Sequence, residues 1–170
     1  MAENCGLSSR HDVEREDQNM IMKYLVGSLF LCASMHSFAD HHKESEMSPN
    51  IAAAKAGYDA FASGDMEVWK STHASNAVWT VLEGLPYAGT YVGPESVVKN
   101  VFAEIANLWP DFKVEPIAFY ESGDKVFIHA RMTAGGRKTE TVHMATIKDG
   151  KYVEFTPFDN SGFMMSQVVK

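Results

Sequence analysis

The stretch Thr139-Glu140-Thr141-Val142-His143-Met144-Ala145-Thr146-Ile147-Lys148-Asp149-Gly150-Lys151-Tyr152-Val153-Glu154-Phe155-Thr156-Pro157-Phe158-Asp159 decides the fold. β-Branched and aromatic residues dominate both arms, and Asp149-Gly150 between them favours a tight hairpin. The two arms read as antiparallel strands, Thr139 to Ile147 and Tyr152 to Phe158. Upstream, Val126, Ile128 and Ala130 alternate with Phe127, His129 and Arg131 in another strand, ended by Ala134-Gly135-Gly136. Phe112, Val114 and Pro116 begin a further strand that runs to about Tyr120 and turns at Ser122-Gly123-Asp124. Four strands joined by short turns make an antiparallel meander.

Before Trp109-Pro110 the period changes to a helical one. Ser48-Pro49 reads as a helix start, Ser as N-cap and Pro at the first helical position. Ala52, Ala56, Ala60 and Phe61 follow at helical spacing, and Gly64 stops the helix. Asp65 begins a short second helix through Met66, Val68 and Trp69. Ala77 to Leu82 reads as a strand, Gly84-Leu85-Pro86-Tyr87-Ala88-Gly89 as a turn-rich loop, and Tyr91-Val92 as a short extended piece. Gly93-Pro94-Glu95 opens a helix with one apolar face, Val97, Val98, Val101, Phe102, Ile105 and Leu108. Helices first and a meander afterwards is an α+β pattern.

The Lys148-Asp149-Gly150-Lys151 turn allows two registers. A two-residue loop pairs Lys148 with Lys151, sets His143 opposite Thr156 and sends His143 and Asp159 to opposite faces. A three-residue loop with a bulge at Gly150 pairs Ile147 with Lys151 and sets His143 opposite Phe155. Thr141, His143, Ala145 and Ile147 then share a face with Val153, Phe155, Pro157 and Asp159. The second is preferred, because it gathers the apolar residues on one face with only two titratable groups among them. A carboxylate and an imidazole in an apolar pocket are suited to acid/base work near neutral pH. The same residues also fit a satisfied core histidine and a strand end that caps the last helix.

The chain has 170 residues, is 45% hydrophobic and 22% charged, and carries 15 Lys and Arg against 22 Asp and Glu, a net charge of −7. This is a globular composition of one-domain size. A net negative field does not suit nucleic acid or an anionic membrane. Two cysteines, Cys5 and Cys32, are too few for a disulfide framework or a Cys-rich zinc module. The adjacent His41-His42 reads as a solvated tail pair, and no metal or other cofactor is expected.

Residues 1–39 read as an extension outside the fold, with a signal peptide over about 20–39. Met22-Lys23 precedes the apolar run Tyr24 to Met35, and Ser37-Phe38-Ala39 has the small residues that signal peptidase favours. The run is shorter than the roughly 20 residues that span a hydrocarbon core. Asp12, Glu14, Glu16 and Asp17 are foreign to such a signal, so translation is expected to begin at Met20 or Met22. Cleavage after Ala39 removes 3 basic and 5 acidic residues and both cysteines, leaving 12 against 17, or −5. The expectation is a periplasmic or secreted domain over 48–170, off the membrane once the signal is removed.

The runs Tyr58-Asp59-Ala60-Phe61-Ala62-Ser63-Gly64-Asp65 and Leu85-Pro86-Tyr87-Ala88-Gly89-Thr90-Tyr91-Val92-Gly93, with Trp79 between them, resemble the SnoaL-like domain family. So does the ending, His143 to Lys151 followed by Phe158-Asp159. The resemblance covers about residues 50–165. It implies a cone-shaped α+β barrel, with the N-terminal helices packed in a curved antiparallel sheet around an apolar pocket. This is the fold of nuclear transport factor two, ketosteroid isomerase, scytalone dehydratase and limonene-epoxide hydrolase. It further implies a homodimer packed through the sheet. In the family's polyketide cyclases a late Asp is the general acid/base with a His nearby, and Asp159 and His143 match those positions.

The relatives' other chemistries fit less well. Ketosteroid isomerase uses an Asp base with Tyr and protonated Asp donors. Thr80 and Val81 stand where that base belongs, Tyr58 is one place off the family tyrosine, and His143 takes the place of the protonated acid. Epoxide hydrolysis needs two carboxylates and an Arg; Arg131 and Asp159 are available, while Glu83 and Glu140 read as exposed.

Two functions stay open. In the first, Asp159 is general acid/base and His143 orients it or the substrate, in cofactor-free cyclisation or isomerisation by proton abstraction next to a carbonyl. Trp79, Tyr87, Phe102, Trp109, Arg131 and Phe155 then line the pocket, although each aromatic also fits an ordinary core. In the second, the domain is a non-catalytic binding module or dimeric scaffold for a hydrophobic metabolite. The ten methionines, Met164-Met165 among them, suit an adaptable surface.

Overall fold

The first helix starts where its capping chemistry dictates. Ser48 Oγ accepts from the Ile51 N–H at 3.1 Å and Pro49 occupies the first turn, so α1 spans Pro49–Ser63 and ends on Gly64 in the left-handed region at φ 75°. The computed structural model describes residues 47–168. The expected signal peptide, the 1–39 extension and His41-His42 lie outside the described residues. α2 (Met66–Ser71) is capped by Asp65, whose carboxylate accepts from the Val68 N–H at 3.0 Å.

α1 turns inward a face that keeps Ala60 and Phe61 of the one expected but not Ala52 and Ala56. Ala54, Gly57, Tyr58 and Ala60 are buried, while Ala52 and Ala56 are exposed. Burying Tyr58 and Phe61 removes far more apolar area from water than burying two alanines, so the aromatics choose the face.

β1 (His73–Val81) and β2 (Gly89–Val92) lead into a helical stretch that is not one regular helix. α3 (Pro94–Val97) passes through a π-helical turn, Val98–Phe102, into α4 (Ala103–Leu108). Such a turn shifts the register of side chains around the axis. Val101, Phe102 and Ile105 consequently reach the cavity described below.

The meander follows as β3 (Lys113–Ser122), β4 (Lys125–Ala134), β5 (Arg137–Lys148) and β6 (Lys151–Phe158), then α5 (Ser161–Ser166). The six strands form one curved, unclosed sheet in the order β2-β1-β6-β5-β4-β3. The β1–β6 pair is parallel and the other neighbours are antiparallel. The α+β cone thus has its helices against the concave face, where Val126, Ile128, Ala130 and Met132 of β4 are fully buried.

The hairpin corrects the preferred register. Lys148 pairs with Lys151 around a two-residue turn, and Asp149 (φ 50°) and Gly150 (φ 71°) both take the positive φ that such a turn demands. The bulge lies at Val153, not at Gly150: Ile147 pairs with Tyr152, whereas Thr146 pairs with Glu154. His143 therefore faces Pro157 instead of Phe155. The one extra residue restores the alternation, so Thr141, His143 and Ala145 still share the buried face with Phe155 and Pro157. The shared face comes from the bulge, and the turn keeps its most favourable geometry.

Candidate functional site

β5 carries Thr141 and His143 inward, β6 delivers Asp159 just past its end, and α1 presents Tyr58 across from them. Asn160 is the N-cap of α5, its side chain accepting from the Phe163 N–H at 2.9 Å. Asp159 is thereby left out of the cap. His143 Nε2 lies 3.2 Å from Asp159 Oδ1, with side-chain exposures of 8% and 15%. Thr141 Oγ1 donates to the same oxygen at 2.8 Å. Both of these hydrogen bonds to the carboxylate thus fall on Oδ1.

From sequence, Tyr58 stands out only as one place off the family tyrosine. In the structure it is the partner of His143, Oη to Nδ1 at 2.6 Å, with the two rings stacked at 22° and 6.0 Å. Burial, then the neighbouring Tyr152 and Asp159, push the Tyr58 hydroxyl well above its ordinary pKa, so it stays protonated. A phenol O–H donated to Nδ1 makes Nε2 the nitrogen whose N–H meets the Asp159 carboxylate. The order is Tyr58 O–H to His143 Nδ1, His143 Nε2–H to Asp159 Oδ1. The signal for Tyr58 is present in the sequence: Ala54, Tyr58 and Phe61 stand at helical spacing, one face over from the alanine face.

These groups open on a cavity whose lining contains Tyr58, His143 and Asp159. Trp79, Tyr87, Phe102 and Phe155 line it as expected. Phe155 stands between two of the others, stacked on Trp79 at 4.2 Å and edge-on to His143 at 5.2 Å. Burial, then the Asp159 charge, raises the Tyr87 pKa, so its hydroxyl stays a neutral donor in the lining of the same cavity.

Two expected lining residues stand elsewhere. Trp109 is fully buried in the core, its indole N–H donating to the Met164 carbonyl at 3.0 Å, where it anchors α5. Arg131 is exposed on the convex face and lies 3.6 Å from Glu140. Strand alternation requires this, because Ala130 and Met132 on either side of Arg131 point into the core. Glu140 is taken by His129 at 2.8 Å on that outer face, and Glu83 is exposed, so neither joins Asp159 as a second inward acid.

The family model of the SnoaL-like domain matches residues 54–155. Among solved structures, the chain is similar to an NTF2-like protein of unknown function from Burkholderia pseudomallei. The identity is 25% over 73% of this chain and 100% of that one, with a TM-score of 0.64. It is also similar to TerC, co-crystallised with polyporic acid, at 25% identity over 71% and 98% of the two chains and a TM-score of 0.65. A candidate SnoaL-like polyketide cyclase from Jannaschia shares the fold at 18% identity over 71% and 91%, with a TM-score of 0.59. None of the curated proteins matches the chain.

Proposed function

The chain belongs to the SnoaL-like domain family, and from that premise we propose that it performs cofactor-free acid/base chemistry on an enolisable carbonyl compound held in the cavity. The observation that carries this reading is the one-sided hydrogen bonding of Asp159. Oδ1 receives both Thr141 and His143, so Oδ2 is the oxygen left to act as base on the ligand.

Oδ2 takes a proton from the carbon beside the carbonyl; the C–H electron pair becomes the C=C bond of the enolate and the C=O π pair moves onto the oxygen. The Tyr87 hydroxyl donates to the resulting enolate oxygen. Return of the proton to another atom isomerises the substrate. Attack of the enolate carbon on a second carbonyl closes a ring, and the alkoxide so formed takes the proton held on Asp159. Tyr58 and His143 position Asp159, and aromatic walls exclude water. TerC's co-crystallisation with polyporic acid supports a small organic molecule as the ligand class.

The test is deuterium exchange and turnover of enolisable aryl ketones across pH, with wild type and Asp159→Asn. The expected result is exchange in wild type that collapses in Asp159→Asn while ketone affinity is kept. Tight binding with no exchange in either protein overturns the catalytic reading in favour of a binding module for a hydrophobic metabolite.

Export and dimerisation complete the proposal. The signal pattern ending at Ala39 supports a periplasmic or secreted mature chain, and an intact Met1 on the native protein overturns it. The convex face of the sheet supports a homodimer. Tyr120 pairs with Phe127, Phe127 with Met144, and Val142 with Phe158, all on the outer side. Tyr120, Val142 and Phe158 are 61%, 43% and 48% exposed, so the patch is apolar and uncovered in one protomer.

A further inference from the structure

Two buried polar atoms have no hydrogen-bond partner among the described residues, His73 Nε2 and Trp79 Nε1. Both side chains line the same cavity as Asp159. Their rings stand 6.0 Å apart, and His73 is only 3% exposed. A buried donor or acceptor left without a partner is costly, so such a pair in a cavity wall calls for a ligand group.

The chemistry of that group follows from the protons. His73 Nδ1 lies 3.0 Å from the Trp69 carbonyl oxygen, which can only accept, so Nδ1 carries the hydrogen. Nε2 of the neutral ring is then a lone pair that accepts. Burial supports the neutral form by pushing the His73 pKa down to about 4. The Trp79 indole N–H only donates. The wall thus offers one acceptor and one donor.

The two residues are also distinct from the Asp159 group. Phe155 intervenes, stacked on Trp79 on one side and edge-on to His143 on the other. Stacking of His73 on Tyr152 at 4.6 Å, and its packing on Trp69 at 4.0 Å, hold the imidazole in place.

We infer that His73 and Trp79 form a second polar subsite of the cavity that takes a hydroxyl group of the ligand, which donates to His73 Nε2 and accepts from Trp79 Nε1–H. The ligand class is an apolar ring system with a hydroxyl on a part remote from the atom that faces Asp159. A charged carboxylate is disfavoured, because it meets a lone pair at His73. The inference rests on the reading of this cavity as the ligand site, but not on Asp159 acting as a base.

The experiment titrates the full chain, labelled with nitrogen-15 in His and Trp, with 2-naphthol, 2-methoxynaphthalene and naphthalene. The methoxy compound accepts but cannot donate. The expected result is that 2-naphthol binds about tenfold tighter than 2-methoxynaphthalene. Only 2-naphthol shifts the His73 Nε2 resonance, and Trp79→Phe weakens its binding several-fold. The naphthol preference persists in Asp159→Asn, which separates this subsite from the proposed base. Three results overturn the inference: no preference for the hydroxyl, a preference lost in Asp159→Asn with His73 unmoved, or no binding of any of the three. The His73 resonance is read in wild type, so the outcome does not depend on a variant that folds.

Discussion

Tyr58 Oη and His143 Nδ1 stand 2.6 Å apart although 85 residues separate them in the chain. One belongs to the first helix and the other to the fifth strand, so the bond exists only when helix and sheet are docked. It also selects which imidazole nitrogen faces Asp159. Packing of α1 on the sheet and the protonation pattern of the site are therefore one arrangement.

Removing that hydroxyl tests the link. In Tyr58→Phe, His143 Nδ1 loses its donor and the imidazole proton is free to move to Nδ1. The Nε2 lone pair then faces a carboxylate, and the contact to Oδ1 is lost. Proton exchange from an enolisable aryl ketone is expected to fall about tenfold, with KM unchanged. The fold loses about 1 kcal/mol, the usual net worth of such a bond. Steady-state kinetics and urea unfolding measure both. A raised KM at constant kcat assigns Tyr58 to substrate binding instead.

The elements are legible in the sequence because caps, turn dipeptides and period changes are local. Ser48-Pro49 and Gly64 bound α1, and the Gly-rich and Asp-Gly turns separate the strands. The parallel β1–β6 pair is not legible, since it joins residues far apart in the chain and leaves no local trace. Nor is the bulge at Val153, because any single residue of a β-rich arm can be the unpaired one. The face shared by His143 and Asp159 is legible from the apolar partition, although the bulge and not the turn produces it. Tyr58 is hidden by three alanines at regular spacing, which outline a competing helix face. Arg131 belongs outside the pocket on its own alternation with Ala130, which already points it outward.

Gly57 permits the close approach of α1 to β6. A Cβ there would meet Tyr152 Cε2 at 2.7 Å and its hydroxyl at 2.9 Å. That hydroxyl donates to the Ala54 carbonyl at 2.6 Å, so the tyrosine cannot simply withdraw. Alanine gains about 1 kcal/mol of helix propensity over glycine, but overpacking a tight core costs typically about 1–3 kcal/mol. Gly57→Ala is expected to be net destabilising. A denaturation midpoint above wild type would show that the helix shifts without strain.

His73 makes stability depend on pH in a defined window. Its folded pKa lies near 4 against an ordinary 6.5, because burial disfavours the charged ring. Between those values the unfolded chain binds the proton and the folded one does not. Its contribution is therefore complete above pH 6.5 and is lost progressively as pH falls toward 4, at most about 3 kcal/mol in all. His73→Phe removes this titration. The difference between wild-type and His73→Phe unfolding free energies should rise from pH 4 to 6.5 and then level. A difference that is flat across the window means that the folded protein admits a charged His73.

Val142 and Phe158 are direct cross-strand partners on the convex face, each close to half exposed. Neither side chain reaches the core, so replacing them leaves concave packing untouched. With Tyr120, Phe127 and Met144 they make an apolar surface that a second copy can cover. A lysine at Phe158 sets charges against each other across a two-fold interface, because an isologous contact repeats each substitution in the partner. Phe158→Lys is expected to halve the mass measured by light scattering, with unchanged circular dichroism and an unchanged affinity for 2-naphthol. A wild-type mass of one chain, or an unaltered dimer in Phe158→Lys, places any self-association on another face.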